Sequence, residues 1–208
     1  MIPAESLLVF FAASALLALA PGPDNIFVLT LSALHGPRAG WIVTLGLCTG
    51  LVGHTIAVAV GIAAVFQASE LAFTALKIAG ACYLLYLAWG AFRASAEKLE
   101  AQATQSLGAG QLYRRGIVMN LTNPKVSIFF LAFLPQFADP ARGSLSLQLV
   151  LLGGVFIVAA LVVFGSIAAL AGSLGRWLNR SSRAQVVMNR VAGTIFVALA
   201  VKLALTQR

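Results

Sequence analysis

The chain has 208 residues, of which 60% are hydrophobic and only 10% are charged, and its formal net charge is +8. A soluble domain of this length is excluded, because much of its surface would have to be polar. The basic residues lie between apolar stretches, where they act as topology signals and lipid contacts, so the positive charge does not predict a nucleic-acid partner.

Six apolar stretches are long enough to cross a bilayer as helices, and the short alternating strands of a β-barrel are not seen. In chain order the stretches lie at about 5–34, 41–66, 70–92, 115–137, 145–172 and 190–206. We therefore predict an all-α integral membrane protein that forms one membrane domain over residues 1–208. Its parts are repeat one at 1–92, a cytoplasmic linker at 93–114 and repeat two at 115–208.

The first stretch is interrupted by the sequence LALAPGPDNIFVL, in which Pro21, Gly22 and Pro23 precede Asp24 and Asn25. A proline inside a helix removes a backbone donor, so we predict that this span breaks into two half-helices. Lipid tolerates such a break only beside protein or a water-filled cavity. An ionised group near the bilayer centre costs about 2.5–3.5 kcal/mol, which makes Asp24 a candidate functional residue.

The second stretch carries His54 near its middle, in GLVGHTIAV. An imidazole titrates near neutral pH, so His54 is a candidate for proton coupling; the alternative is a hydrogen bond to a neighbouring helix without titration. The segment GLCTG in the same stretch has the spacing of a GxxxG motif, which predicts close helix contact through Gly46 and Gly50.

The fourth stretch contains a second break, TNPKVSIFFL, in which Asn123 and Pro124 precede Lys125. Pro124 aligns with Pro23, and both charged residues fall near the middle of the membrane. Opposite charges at equivalent positions of two repeats can face each other across a shared cavity. Together with the amides Asn25 and Asn123, and with the N–H groups that begin each second half-helix, they predict a site for a zwitterion.

The two halves also resemble each other outside the breaks. KIAGACYL at 77–84 matches RVAGTIFV at 190–197, and three spans in each half make the second copy inverted. Lysine and arginine counts of nine against four assign the loops that contain Arg38, Arg93 and Arg115 to the cytoplasm. Both termini are then expected in the periplasm.

Two alternatives remain at this stage. Asp24 and Lys125 can instead form a permanent ion pair in a non-transporting membrane scaffold, with the prolines only kinking their helices. The solute can also be a small molecule other than an amino acid. The sequence contains no metal-ligand cluster, phosphate-binding loop or nucleophile triad, so we predict no metal, no cofactor and no enzymatic activity.

Four segments together resemble the LysE/RhtB family of bacterial amino-acid exporters: LALAPGPDNIFVL, GLCTGLVGHTIAV, LKIAGACYLLYLAWGAFR and GIVMNLTNPKVSIFFLAFLPQF. The resemblance covers the chain up to about residue 140. It implies an inner-membrane exporter of amino acids or related metabolites, driven by the proton gradient. The positions that match the family motifs are Pro21, Gly22, Pro23, Asp24, Asn123, Pro124 and Lys125.

We therefore predict a six-helix, proton-coupled amino-acid exporter. Asp24 would bind the substrate ammonium and the coupling proton in alternation, Lys125 would hold the carboxylate, and His54 would assist proton transfer. The particular amino acid and the formation of a homo-oligomer are left open.

Overall fold

A computed structural model describes residues 2–68, 70–94, 107–180 and 182–205, and the regular structure in these ranges is helical. The helices are α1 (Ala4–Leu19), α2 (Pro23–His35), α3 (Pro37–Ala68), α4 (Glu70–Arg93), α5 (Ala109–Leu121), α6 (Pro124–Ile128), α7 (Leu145–Arg180) and α8 (Ser182–Leu205). Helix α6 continues as a π-helical turn, Phe129–Phe133, and a 3₁₀ turn, Leu134–Phe137. Residues 124–137 are called the α6 segment below.

The membrane class predicted from composition is confirmed. Helices α3, α4, α7 and α8 are each long and apolar enough to cross a bilayer. Two further pairs reach this length only together: α1 with α2, bent by 62°, and α5 with the α6 segment, bent by 50°. The described residues thus contain four spanning helices, or six if each bent pair makes one crossing. The arrangement as two inverted repeats stays a prediction.

Several helices extend beyond the predicted spans. Helix α5 begins at Ala109, inside the stretch 93–114 that was assigned to the linker, and α8 begins at Ser182 rather than near 190. Helix α7 continues to Arg180. Hydropathy detects only the part of a helix that lies in hydrocarbon, whereas hydrogen bonding along the backbone continues into the polar, arginine-containing ends. The rest of the linker, residues 95–106, lies outside the described ranges.

The prolines start helices rather than interrupt them. Pro23 is the first residue of α2 and Pro124 is the first residue of α6. A proline is favoured there because the first N–H groups of a helix have no partner within the helix and the proline φ angle is already helical. Helix α1 ends at Leu19 and α5 ends at Leu121, and links of three and two residues separate them from Pro23 and Pro124. Separate helices thus lie on either side of each proline segment, and the interpretation of each pair as one broken span stays a prediction.

Close contacts between helices bring the two breaks together. Helix α3 packs mainly on α5 and α7, α4 packs on α8, and α1 and α2 pack on α7. A Cβ atom added to Gly116 of α5 would lie 3.0 Å from the Cα of Gly46 in α3. A Cβ atom on Gly50, one turn further, would lie 2.7 Å from the side chain of Asn120. The close contact predicted from GLCTG is thus confirmed, and it fixes the end of α5 against α3.

Candidate functional site

The two predicted charges lie at equivalent places and in the same small cavity. Asp24 is the second residue of α2 and Lys125 is the second residue of α6. These residues are 1% and 6% exposed, and both line a small central cavity. The remaining lining comes mostly from apolar residues of α1, α3, α6 and α7, together with Asn120. The cavity has a volume of about 10 Å³, which is close to the minimum for one water molecule.

Lys125 contacts the end of α1. Its Nζ donates hydrogen bonds to the carbonyl oxygens of Ala20 at 2.9 Å and Leu17 at 3.3 Å. The last carbonyl groups of a helix have no partner within it and carry partial negative charge, so they favour a cation. The Lys125 side chain passes directly over Gly22, where an added Cβ would lie 2.9 Å from Nζ. Lys125 therefore caps α1 from the other half of the chain.

Asp24 contacts a side chain near the end of α5. One carboxylate oxygen, Oδ2, accepts a hydrogen bond of 3.4 Å from the Nδ2 of Asn120. The other oxygen, Oδ1, is buried without a hydrogen-bond partner. Asp24 and Lys125, both of which the structure describes, form no direct salt bridge. The alternative of a permanent ion pair between them is therefore not what this conformation contains.

The two predicted amides also lie in this region, and each leaves one polar atom unpaired. Asn25 donates from Nδ2 to the carbonyl of Ala18 at 2.5 Å, while its Oδ1 is buried without a partner. Asn123 accepts the backbone N–H of Lys125 on Oδ1 at 3.0 Å, while its Nδ2 is unpaired. The first free N–H of α6 is therefore already occupied, contrary to its expected role as a carboxylate donor.

Unpaired polar atoms are the distinctive feature of this cluster. Buried atoms without a hydrogen-bond partner, within the described ranges, are Asp24 Oδ1, Asn25 Oδ1, Asn120 Oδ1 and Asn123 Nδ2. Each unpaired buried group costs about 1–3 kcal/mol, and native proteins keep few of them. Four such atoms in residues that flank the two helix breaks indicate a place for a polar ligand or ordered water.

His54 contacts the cluster through a hydrogen bond with Asn120. Its Nε2 lies 3.3 Å from the backbone oxygen of Asn120, and its ring centroid lies 5.6 Å from that of Phe130. The imidazole is partly buried. The structure therefore contains the hydrogen bond to a neighbouring helix that was one of the two interpretations of His54.

A wide cavity adjoins the cluster. It has a volume of about 660 Å³, and Pro23, Asn123 and Pro124 at the two breaks are among its lining residues. Arg114 and Arg115 of α5 lie along the same cavity, which is called the arginine-lined cavity below. Asn123 thus belongs both to the cluster around the breaks and to the wall of an open space.

A second open space lies at the other end of the α6 segment. This cavity of about 350 Å³ is lined by Gln136 and Phe137 and by two basic residues, Arg142 and Lys202; we call it the lysine-lined cavity. Gln136 follows Lys125 by eleven residues, which corresponds to roughly 16 Å along a helix. The cluster therefore lies between two open cavities.

Phenylalanine rings fill the space between the cluster and the lysine-lined cavity. Ring centroids of neighbouring members lie 4.7–6.0 Å apart. The members are Phe10, Phe129, Phe130, Phe133, Phe137 and Phe156. The π-helical turn lies within this wall, and such turns frequently occur at functional sites. In this conformation the wall separates the cluster from the lysine-lined cavity.

Asn120 was missed by reasoning from the sequence. It is 1% exposed, lines the central cavity and contacts both Asp24 and His54. The only indication in the sequence is its position three residues before Asn123, in MNLTNPK. The role of the α1 carbonyls as partners of Lys125 was missed too, because backbone groups leave no trace in the sequence. Across the described residues, no group of three or more His, Cys, Asp or Glu could hold a metal ion.

Comparisons with known proteins give a consistent result. The family model for LysE type translocators matches residues 15–207. The chain is 36% identical over 195 residues to the homoserine/homoserine lactone efflux protein of Salmonella typhimurium, covering 94% of each chain. It is 34% identical to an uncharacterised membrane protein of Vibrio cholerae, covering 95% of each, and 26% identical to a leucine efflux protein of Enterobacter, covering 90% of each. No solved structure matches the chain. The similarity thus continues well beyond residue 140.

Proposed function

The chain belongs to the family of LysE-type translocators, and we propose that it exports amino acids or closely related small metabolites across the bacterial inner membrane. The observation that carries this proposal is the buried polar cluster at the two helix breaks. It contains a carboxylate, an ammonium and three amides, and four polar atoms of these groups have no hydrogen-bond partner. One of the amides, Asn123, also lines the 660 Å³ cavity.

We take the helices as six crossings in two inverted repeats, with α1/α2 equivalent to α5/α6, α3 to α7 and α4 to α8. Three features of the packing support this arrangement. Equivalent helices pair with each other, α3 with α7 and α4 with α8, as expected around a two-fold axis. The contact of α3 with α5 has its counterpart in the contact of α7 with α1 and α2. Finally, Lys125 caps the end of α1 while Asp24 faces the end of α5.

In this arrangement the arginine-lined cavity opens to the cytoplasm and the lysine-lined cavity to the periplasm. The support is the excess of basic residues on the side of Arg114 and Arg115. Both termini then lie in the periplasm. Substrate would enter through the arginine-lined cavity, and rocking of one repeat against the other would open the phenylalanine wall.

The cluster offers complementary groups to both ends of an amino acid. Asp24 has a free carboxylate oxygen for an ammonium group. Lys125 uses two of its three N–H donors on α1, so one donor remains for a carboxylate, next to the unpaired Nδ2 of Asn123. Because the central cavity of about 10 Å³ is far smaller than a substrate, binding requires the α1/α2 and α5/α6 breaks to separate.

Proton coupling follows from competition at one group. Asp24 would bind either a proton or the substrate ammonium, so protonation on the periplasmic side releases the substrate. His54 would accept and donate protons close to Asp24, with Asn120 between them. The names of relatives make homoserine, its lactone and leucine the first solutes to test.

The scaffold alternative is not favoured. It depends on a direct ion pair between Asp24 and Lys125, whereas each side chain contacts a different helix end and leaves hydrogen-bonding capacity unused. A group that only ties two halves together would be expected to satisfy its polar atoms within the protein.

The test is efflux from liposomes that contain the purified protein. Vesicles loaded with one solute at a time are assayed with and without an imposed pH gradient. We expect at least one amino acid to leave faster with the gradient, and Asp24→Asn to abolish this gain. Glu5→Gln is the matched control, because Glu5 is an exposed carboxylate in the first turn of α1 and lines none of the three cavities described above. Equal efflux from wild-type and Asp24→Asn vesicles for every solute would contradict the proposal.

A further inference from the structure

The unpaired atoms of the cluster are unequal in kind. Three of them are acceptors, the Oδ1 atoms of Asp24, Asn25 and Asn120, and only one, the Nδ2 of Asn123, is a donor. Asn120 donates from Nδ2 to the carboxylate of Asp24, and its own Oδ1 is left as an unpaired acceptor. Asp24 and Asn120 line the same central cavity, and Asn25 is bonded to Ala18, which lines it too.

A group with several donors and a positive charge complements this set. A primary ammonium supplies three N–H donors and one charge. Its charge would be attracted to the buried carboxylate of Asp24, which forms no salt bridge with Lys125. A single water molecule supplies only two donors and no charge, so it complements this set less well.

The other end of the substrate is under a weaker constraint. The remaining N–H of Lys125 and the Nδ2 of Asn123 are donors. Each can donate a hydrogen bond to any carbonyl-type oxygen. A carboxylate and the carbonyl of an ester or lactone both present such an oxygen. The geometry therefore demands the ammonium and tolerates different groups in place of the carboxylate.

We infer that the cluster recognises the primary ammonium group of its solute through Asp24 and Asn120, and that a free carboxylate on the solute is dispensable. This inference rests on the proposed export function and adds Asn120 as a substrate ligand. It explains how one site can take an amino acid and its lactone, and it excludes solutes whose amine is acylated or missing.

The experiment is competition for transport in liposomes at about pH 6, below the ordinary pKa of an α-amino group of about 8. The assay uses counterflow of a labelled amino acid that the wild type exports. It measures how strongly each unlabelled analogue inhibits this counterflow. For homoserine the set is homoserine lactone, N-acetylhomoserine and 4-hydroxybutyrate. We expect the lactone to inhibit within about tenfold of homoserine, and both analogues without an ammonium to be at least about a hundredfold weaker, because a buried polar site rejects an analogue that lacks the donor.

The variant Asn120→Ala tests whether Asn120 binds the solute. We expect it to raise the KM for homoserine and for its lactone by about tenfold to a hundredfold, the range for losing a hydrogen bond to a charged group. It should also reduce the discrimination against N-acetylhomoserine, which a purely structural role would leave unchanged. Asn189→Ala is the matched control, since Asn189 bonds to Ala94 outside the cluster. If the alanine variant is not monodisperse, Asn120→Leu removes the same acceptor with little loss of volume.

The failures are distinguishable. If wild-type vesicles transport no solute of the panel, the proposed function fails. If transport occurs and N-acetylhomoserine competes as well as homoserine, the ammonium is not recognised and the inference is overturned. If the ammonium is required but the Asn120 variants keep the wild-type KM and discrimination, Asn120 is not a ligand.

Discussion

Gly22→Ala tests whether the position of the Lys125 ammonium matters, without changing any charge. The backbone of Gly22 is extended, with φ −177° and ψ 176°, so alanine fits there without backbone strain. Its new Cβ, however, would lie 2.9 Å from Lys125 Nζ and 3.4 Å from Cε. The ammonium must therefore move by about half an ångström to restore ordinary van der Waals contact.

This movement lengthens the hydrogen bonds that Lys125 donates to α1. Nζ lies 2.9 Å from the Ala20 oxygen and 3.3 Å from the Leu17 oxygen, so a small displacement breaks the longer bond first. A hydrogen bond to a charged group contributes about 1.5–3 kcal/mol, and the reduced freedom of the unfolded chain returns about 0.4–1 kcal/mol. We expect Gly22→Ala to lower the free energy of unfolding by about 1–2 kcal/mol and to reduce efflux of whichever solute the wild type exports best about tenfold.

The measurement is unfolding of the purified protein in detergent, together with efflux from liposomes. Gly154→Ala is the matched control, because a Cβ there meets no atom within 4 Å and alanine favours the helix. A double-mutant cycle with Lys125→Met isolates the cause. We expect alanine at position 22 to have little effect once the lysine is absent. An equal loss in both backgrounds would contradict this expectation.

Three further predictions follow from the packing and the proposed topology. Gly116→Ala should destabilise the protein by about 1–3 kcal/mol, because its Cβ meets the backbone of α3, whereas Gly110→Ala on the same helix meets no atom and should be neutral; thermal unfolding checks both. His54→Gln should keep counterflow at equal pH but lose efflux driven by a pH gradient, and loss of both activities would place His54 in substrate binding instead. In a variant without native cysteines, Leu107→Cys should react with impermeant thiol reagents only from the cytoplasm and Ala141→Cys only from the periplasm; the opposite pattern would reverse the proposed orientation.

The all-helical membrane architecture could be predicted from the sequence, because hydrophobicity over about 20 residues is a local property. Helix ends were less accessible. The beginning of α8 at Ser182 and the extension of α7 to Arg180 lie in basic segments, where hydropathy ends although the helix continues. The positions of Pro23 and Pro124 were recognised as unusual, but their place at the start of new helices depends on where α1 and α5 end, which the prolines alone do not determine.

Of the candidate site, the charged residues were the part that could be predicted from the sequence. Asp24 and Lys125 stand out because ions are rare in apolar spans, and the structure brings both to one cavity. Their partners could not be inferred, because they are the backbone carbonyls of Leu17 and Ala20 and one neutral amide. A single asparagine in an amphipathic helix has many ordinary roles, so Asn120 becomes distinctive only when α3 and α5 pack against each other at Gly50.

The central claim is that solute binds where the two helix breaks meet. The most direct measurement is an experimental structure of the protein in a lipid nanodisc with its best-exported solute. The account predicts density for the solute between Asp24, Asn120, Asn123 and Lys125, with its amine nearest to Asp24 and with the central cavity wider than in the present conformation. Solute density confined to the lysine-lined cavity or to the lipid-facing surface, with Asp24 and Lys125 unchanged, would contradict it.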